Sequence, residues 1–143
     1  MDKFLALLVG LLAVSSAAAA ECSDVYMRGG APSKFDPLAH KALDAHYHIT
    51  DVDPAVRPYE SPNPIAGSMP TAPADANGAV LHGYVLLAYV VTRSGRAESP
   101  TIVEASDGQL AKVAIAATDT WRFNPGTVDG AAVCIAAMQE FKF

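Results

Sequence analysis

Apolar positions are densest in one stretch of this chain, Gly83-Tyr-Val-Leu-Leu-Ala-Tyr-Val-Val-Thr92, and the elements on either side are read relative to it. A run of β-branched, aromatic and aliphatic residues of this length specifies a strand too apolar for a sheet edge. Alternation places Tyr84, Leu86, Ala88 and Val90 on one face and Val85, Leu87, Tyr89 and Val91 on the other. Both faces are apolar, so the strand must be central and covered on two sides.

The pattern downstream resolves almost element by element. Arg93-Ser94-Gly95-Arg96 is a turn with glycine where positive φ is cheap. A second strand follows over Ala97–Ala105, and Pro100, which cannot donate to a ladder, puts it at an edge. Ser106-Asp107-Gly108 offers a helix cap. Leu110, Val113, Ala114, Ala117 and Trp121 then form one stripe of an amphipathic helix, which Asn124-Pro125-Gly126 ends. After the Asp129-Gly130 turn, Ala131–Phe143 is a third strand. Val133, Ile135, Ala137, Phe141 and Phe143 share one of its faces, and Cys134, Met138, Glu140 and Lys142 the other. The order β-β-α-β predicts an α+β module, a three-stranded antiparallel sheet packed on one helix, with Gly83–Thr92 in the middle.

Upstream the signals are sparser. Asp36-Pro37 marks a helix start, and Leu38, Ala42, Ala45 and Ile49 define a stripe for a short helix over Pro37–His48. From Thr50 to Gly78 the prolines at 54, 58, 62, 64, 70 and 73 break any helix or central strand. As polyproline II, Pro54 to Pro73 would reach roughly 60 Å. The expectation is an irregular segment lying along the domain or joining the helix to it.

The first twenty residues read as a targeting segment. Met1-Asp2-Lys3 precedes an apolar run from Phe4 to Val14, and Ala18-Ala19-Ala20 fits a cleavage site before Glu21. The run is shorter than the ~20 residues that span a bilayer. A cleaved signal peptide and a periplasmic product are expected, with an uncleaved inner-membrane anchor as the alternative. The chain thus divides into residues 1–20 (signal), 21–49 (extension with short helix), 50–78 (proline-rich linker) and 79–143 (the β-β-α-β module). Cleavage changes 15 acidic and 10 basic residues to 14 and 9, since Asp2 and Lys3 leave together. An exported chain meets an oxidising compartment, and its two cysteines, Cys22 and Cys134, are expected to be bridged rather than free. That bridge would draw the extension and its helix across the sheet face that the module's own helix leaves open.

Composition and motifs then exclude function classes. A net charge of −5 with no basic run argues against nucleic-acid binding. No G-x-S-x-G, P-loop or G-x-G-x-x-G occurs, and Ser94 has no histidine near it in sequence. The module's only histidine is His82, at a strand start. His40, Asp44 and His48, at i, i+4 and i+8 with His46 nearby, have metal-site spacing, but no fourth ligand is apparent and a solvated helix face explains them better. No enzyme, cofactor, metal or small-molecule substrate is expected.

The Gly-x-Val strand, the Ser-Gly turn, the Ala-Ser strand end, the alanine-rich helix, Trp121-Arg122-Phe123-Asn124-Pro125, the Gly130 turn and a final Phe-x-Phe strand come in an ordered set. It resembles the TonB C-terminal domain over Ala79 to Phe143. The resemblance implies a periplasmic binding module that takes an extended segment of an envelope protein, typically the TonB box of an outer-membrane transporter, by strand addition. The implied edge comprises Val133, Cys134, Ile135, Ala136, Ala137, Met138 and Gln139, with Trp121, Arg122, Phe123, Pro125 and Gly130 as fold markers. The family's energy transducers carry a histidine in their anchor and a long proline spacer with lysine and glutamate. Here the apolar segment has no histidine, and the proline segment is short and poor in lysine. The alternative is a structural or accessory protein that dimerises through the same edge.

Overall fold

The computed structural model describes residues 21–29 and 37–143; residues 1–20, read above as a signal peptide, and the expected Asp36 cap lie outside them. In chain order the elements are β1 (Asp24–Arg28), α1 (Pro37–Asp44), β2 (His48–Val52), β3 (Tyr59–Glu60), β4 (Asn63–Ala66), β5 (Tyr84–Val91) and β6 (Ala97–Ala105). Then come α2 (Gly108–Thr118), β7 (Arg122–Asn124), β8 (Thr127–Val128), β9 (Ala131–Ala132) and β10 (Ile135–Lys142). The architecture is α+β, as the pattern of elements predicts.

β5 takes the central place that its composition demands. It pairs antiparallel with β10, from Ile135↔Val91 to Lys142↔Tyr84, and with β6 on its other side. Val85, Leu87, Tyr89 and Val91 point to the α2 face, where Leu110, Ala114, Ala117, Trp121, Phe123 and Phe141 close over them. Ala88 and Val90 point the other way, against Val25, Met27, Ala39, Leu43, Tyr47 and Ala136. Each face of the strand therefore has its own helix.

The sheet has five strands, ordered β2-β1-β10-β5-β6, where three were expected. β1 joins β10 in parallel at Tyr26↔Ile135, and β2 joins β1 in parallel over its full length. These strands escape a pattern reading because each is five residues long and sits between polar residues. In β1 only Val25 and Met27 are buried, and in β2 only Val52. α1 corrects the sequence reading too. Its buried residues are Ala39 and Leu43, whereas Leu38 is 60% exposed. The helix stops at Asp44, and Ile49, assigned to the helical stripe by periodicity, belongs to β2.

α2 begins where its cap predicts. The Asp107 carboxylate accepts from Gln109 N at 2.7 Å. It ends before Trp121: the Thr118 and Thr120 hydroxyls donate to the carbonyls of Ile115 and Ala117, each at 2.7 Å, and the chain leaves in turns. Gly95, at φ +83°, closes the β5–β6 turn against β7, where a Cβ would lie 2.1 Å from the Phe123 carbonyl oxygen.

Cys22 and Cys134 form a disulfide on the α1 face, 112 residues apart in sequence. Both are buried, and Cys134 O also accepts from Tyr26 N at 2.9 Å, so bond and strand pairing fix the same corner. Among the described residues, no helix is long and apolar enough to cross a membrane.

Cys134→Ser is expected to lower the melting temperature and to loosen β1 and α1 before the β5–β6–α2 unit. Opening a loop of this size removes at most about 4–5 kcal/mol on the chain-entropy model. Calorimetry with hydrogen exchange checks it: equal melting, or protection lost uniformly, contradicts the covering role assigned to the bridge.

Candidate functional site

The Trp121-Arg122-Phe123 stretch leaves α2 as strand β7 and builds the floor of a groove. Tyr89 and Trp121 pack edge to face with centroids 5.4 Å apart, and Phe123 and Phe141 lie 6.4 and 5.7 Å from the indole. Such aromatic pairs add about 0.5–1.5 kcal/mol each beyond their buried area. Arg122 caps the helix end, its Nη1 donating to Asp119 O and Trp121 O at 3.1 and 2.7 Å.

One wall comes from the proline-rich segment, where the sequence suggested no regular structure. β4 pairs with β7 at Asn63↔Asn124, Pro64↔Phe123 and Ala66↔Arg122, with a bulge at Ile65, and β3 pairs with β8. Pro64 is tolerated because this ladder has only two strands. Ser68 then clamps the segment down. Its carbonyl accepts from Trp121 Nε1 at 3.0 Å, and its N–H donates to Thr120 Oγ1 at 2.9 Å. Gly67, at φ +138°, permits this approach; a Cβ there would lie 2.5 Å from Trp121 Cδ1. The segment is held at its start by Arg57, whose Nη2 meets Asp129 Oδ2 at 2.6 Å. Asp129 and Gly130, both at positive φ, form the two-residue turn between β8 and β9.

The other wall is β10. Between them lies a groove of about 780 Å³, with Ile65 and Met69 exposed on its rim and Arg28 as the single charged side chain among its described lining. Phe143 and Gly83 exchange both backbone bonds, at 2.8 and 3.2 Å. Alternation along the antiparallel pair therefore turns the N–H groups of Phe141, Gln139 and Ala137 toward β5, and those of Glu140 and Lys142 away from it.

The expected edge residues divide. Ile135, Ala136, Ala137, Met138 and Gln139 line the groove. Val133 packs instead with Val52 and Val128, and Cys134 is taken by the disulfide. β10 is not an edge along its whole length, because β1 is paired with it at Ile135. Past that point, no strand of the described residues pairs with its outer side. Ala136 is thus beside β1, and a proline there would break the sheet itself. Pro125 follows β7, half-buried. The histidines do not assemble: His48 stands in β2, its ring 3.4 Å from the Asp24 carboxylate, beyond the end of α1 that carries His40. Among the described residues, no three His, Cys, Asp or Glu side chains converge as metal ligands.

Sequence reasoning missed the whole Tyr59–Met69 wall and Arg28. The available signal was Ile65 and Met69, apolar residues with no periodicity to explain them in a proline-rich stretch.

The family model described as Gram-negative bacterial TonB protein C-terminal matches residues 69–143. Among solved structures, the solution NMR structure of the Pseudomonas aeruginosa TonB CTD is similar to this chain. The two are 24% identical over 59% of this chain and 86% of that one, with a TM-score of 0.50, a likeness of fold. No curated protein matches the chain. β1, α1, β2 and most of the proline-rich wall lie upstream of the matched residues.

Two predictions follow from this geometry. Burial pushes the Tyr89 hydroxyl up to about 12. The folded state holds this proton more tightly than the unfolded chain, whose tyrosines titrate near 10. Its contribution to stability is complete below pH 10 and falls as pH rises from 10 toward 12. Comparing ultraviolet phenolate titrations of the wild type and Tyr89→Phe should remove one late-titrating group; loss of one ordinary group instead contradicts it. Gly67→Ala should cost about 1–3 kcal/mol through backbone strain and contact with the indole. It should also speed proteolysis within Tyr59–Met69. Unchanged melting and cleavage would show that the wall does not depend on this approach.

Proposed function

This chain belongs to the TonB C-terminal family, whose domains are non-enzymatic protein-interaction modules of the Gram-negative periplasm, and we propose that it captures an extended segment of an envelope protein along β10. Residues 79–143 are the recognition domain, residues 21–49 cover its second face, and the linker of residues 50–78 contributes the wall opposite β10. The partner segment enters as an added strand, its backbone bonding to the outward amides near Glu140 and Lys142 and its side chains entering the groove. The protein is not an enzyme and uses no cofactor in this reading.

The observation that carries the proposal is the 780 Å³ groove, which sets an apolar, aromatic-floored trough directly beside an outward-facing stretch of strand. Backbone bonds alone net only about 0.5–1.5 kcal/mol each in water, so a bare edge binds weakly and with little choice. The trough adds selectivity. Ile65, Met69 and Trp121 favour apolar side chains, and Arg28 favours a carboxylate among them. For a short segment the affinity is expected in the micromolar range, corresponding to about −8 kcal/mol. An outer-membrane transporter's TonB box is the partner of this kind that the family suggests, which links the chain to transport across the outer membrane.

NMR titration of the protein with a TonB-box peptide tests this. Shifts are expected along Ile135–Lys142 and Tyr59–Met69, and Ile65→Asp, a change at an exposed position, should weaken binding at least tenfold while circular dichroism stays unchanged. Shifts confined to other surfaces would refute the groove as the site. Failure of both this peptide and other envelope segments, in a protein that light scattering finds dimeric through β10, would assign the edge to a second copy.

A further inference from the structure

Glu21 is held by four hydrogen bonds to three residues of the β5–β6 hairpin. Its backbone nitrogen donates to Glu98 Oε1 at 2.8 Å. Its side-chain carboxylate accepts from Ser94 N at 3.1 Å and from Ser94 Oγ at 2.7 Å, and its carbonyl accepts from Arg93 Nη2 at 3.1 Å. The next residue is Cys22, anchored by its disulfide. These contacts hold the Glu21 carboxyl below its ordinary range, the Ser94 hydroxyl being the main cause. The receiving carboxylate is itself positioned. Tyr47, buried where α1 gives way to β2, donates its hydroxyl to Glu98 Oε2 at 2.9 Å and lies 2.6 Å from Ser99 Oγ. Ser99 has φ +50° at the β-bulge where Val90 pairs with Glu98, and this irregularity carries Glu98 onto the α1 face.

The Glu98 carboxylate thus faces the Glu21 backbone nitrogen with one oxygen and the Tyr47 hydroxyl with the other. It suits a cationic donor better still, because an ammonium adds direct attraction between opposite charges to the hydrogen bond. The Ala18-Ala19-Ala20 sequence provides a way to make that donor. We propose that hydrolysis of the Ala20–Glu21 bond creates the ligand for which this site is built. An endopeptidase cutting after small residues adds water across the amide: hydroxyl to the Ala20 carbonyl, hydrogen to the Glu21 nitrogen. The new amine takes a proton from solution, and the resulting α-ammonium pairs with Glu98. The Ser94 and Arg93 contacts hold Glu21 in register. Processing thus completes the fold, tying the mature N-terminus to the β5–β6 hairpin through charge as well as through Cys22. This inference is independent of the groove and of its partner.

The test uses the full-length chain, exported and recovered. Intact mass should correspond to a chain beginning at Glu21. Labelling with a reagent selective for α-amines at neutral pH should run about tenfold slower on the wild type than on Glu98→Gln, which is isosteric and keeps an acceptor for Tyr47. Acetylating the α-amine should lower the melting temperature of the wild type by a few degrees and leave Glu98→Gln unmoved. A mass retaining residues 1–20 or starting elsewhere overturns the proposal. So do equal labelling rates, or equal effects of acetylation on the two proteins. If Glu98→Gln does not fold, Ser94→Ala provides the second comparison: by releasing the Glu21 carboxylate it should speed labelling, and an unchanged rate counts against the site.

Discussion

A strand apolar on both faces has to be covered twice, and most of this architecture answers that demand. α2 follows β6 directly and covers one face of β5 with Leu110, Ala114 and Ala117. The second face has no such local solution. It is closed by Val25, Met27, Ala39 and Leu43, from a stretch of chain more than forty residues upstream of β5. Each fully buried aliphatic side chain contributes about 1.5–3 kcal/mol relative to exposure, so leaving that face open would forfeit much of a small domain's stability. The disulfide and the parallel strands β1 and β2 hold this distant cover in place.

That demand also explains what the sequence disclosed. β5, β6 and α2 were legible because their signals are local: a long apolar run, a Ser-Gly turn, an Asp cap. The covering of the second face was legible in outline, since along the expected strand Ala131–Phe143 Cys134 lies on the face opposite Phe141, and only an upstream partner carries the other thiol. The details were not. Val25 and Met27 have no pattern to distinguish them from loop residues until β10 lies beside them. The α1 stripe was misread because Leu38, Ala42, Ala45 and Ile49 keep helical spacing as well as Ala39 and Leu43 do. Periodicity cannot choose between two faces when the helix is only eight residues long. β4 was hidden by Pro64 within it and Pro62 just before it; a proline is excluded from the middle of a wide sheet but not from a two-stranded ladder.

The groove arises from the same economy. The Trp121 side chain belongs to the α2 face of the core, yet its indole N–H is aimed outward and finds Ser68. One residue thereby joins the core to the wall of a candidate binding site. The resemblance to the TonB C-terminal domain could point to β10 but not to this wall, most of which lies before the matched residues.

The sheet order β2-β1-β10-β5-β6 sets an order on biogenesis. β1 can meet β2 early, but it cannot find its other neighbour, β10, until chain more than a hundred residues downstream has been delivered, and contacts of such separation fold slowly. The two thiols face the same delay. Among the described residues they have no third cysteine to mispair with, so the hazard while they wait is intermolecular: two half-delivered chains joined through Cys22. A cell making this protein therefore gains more from a low concentration of unfinished chains than from an enzyme that reshuffles disulfides.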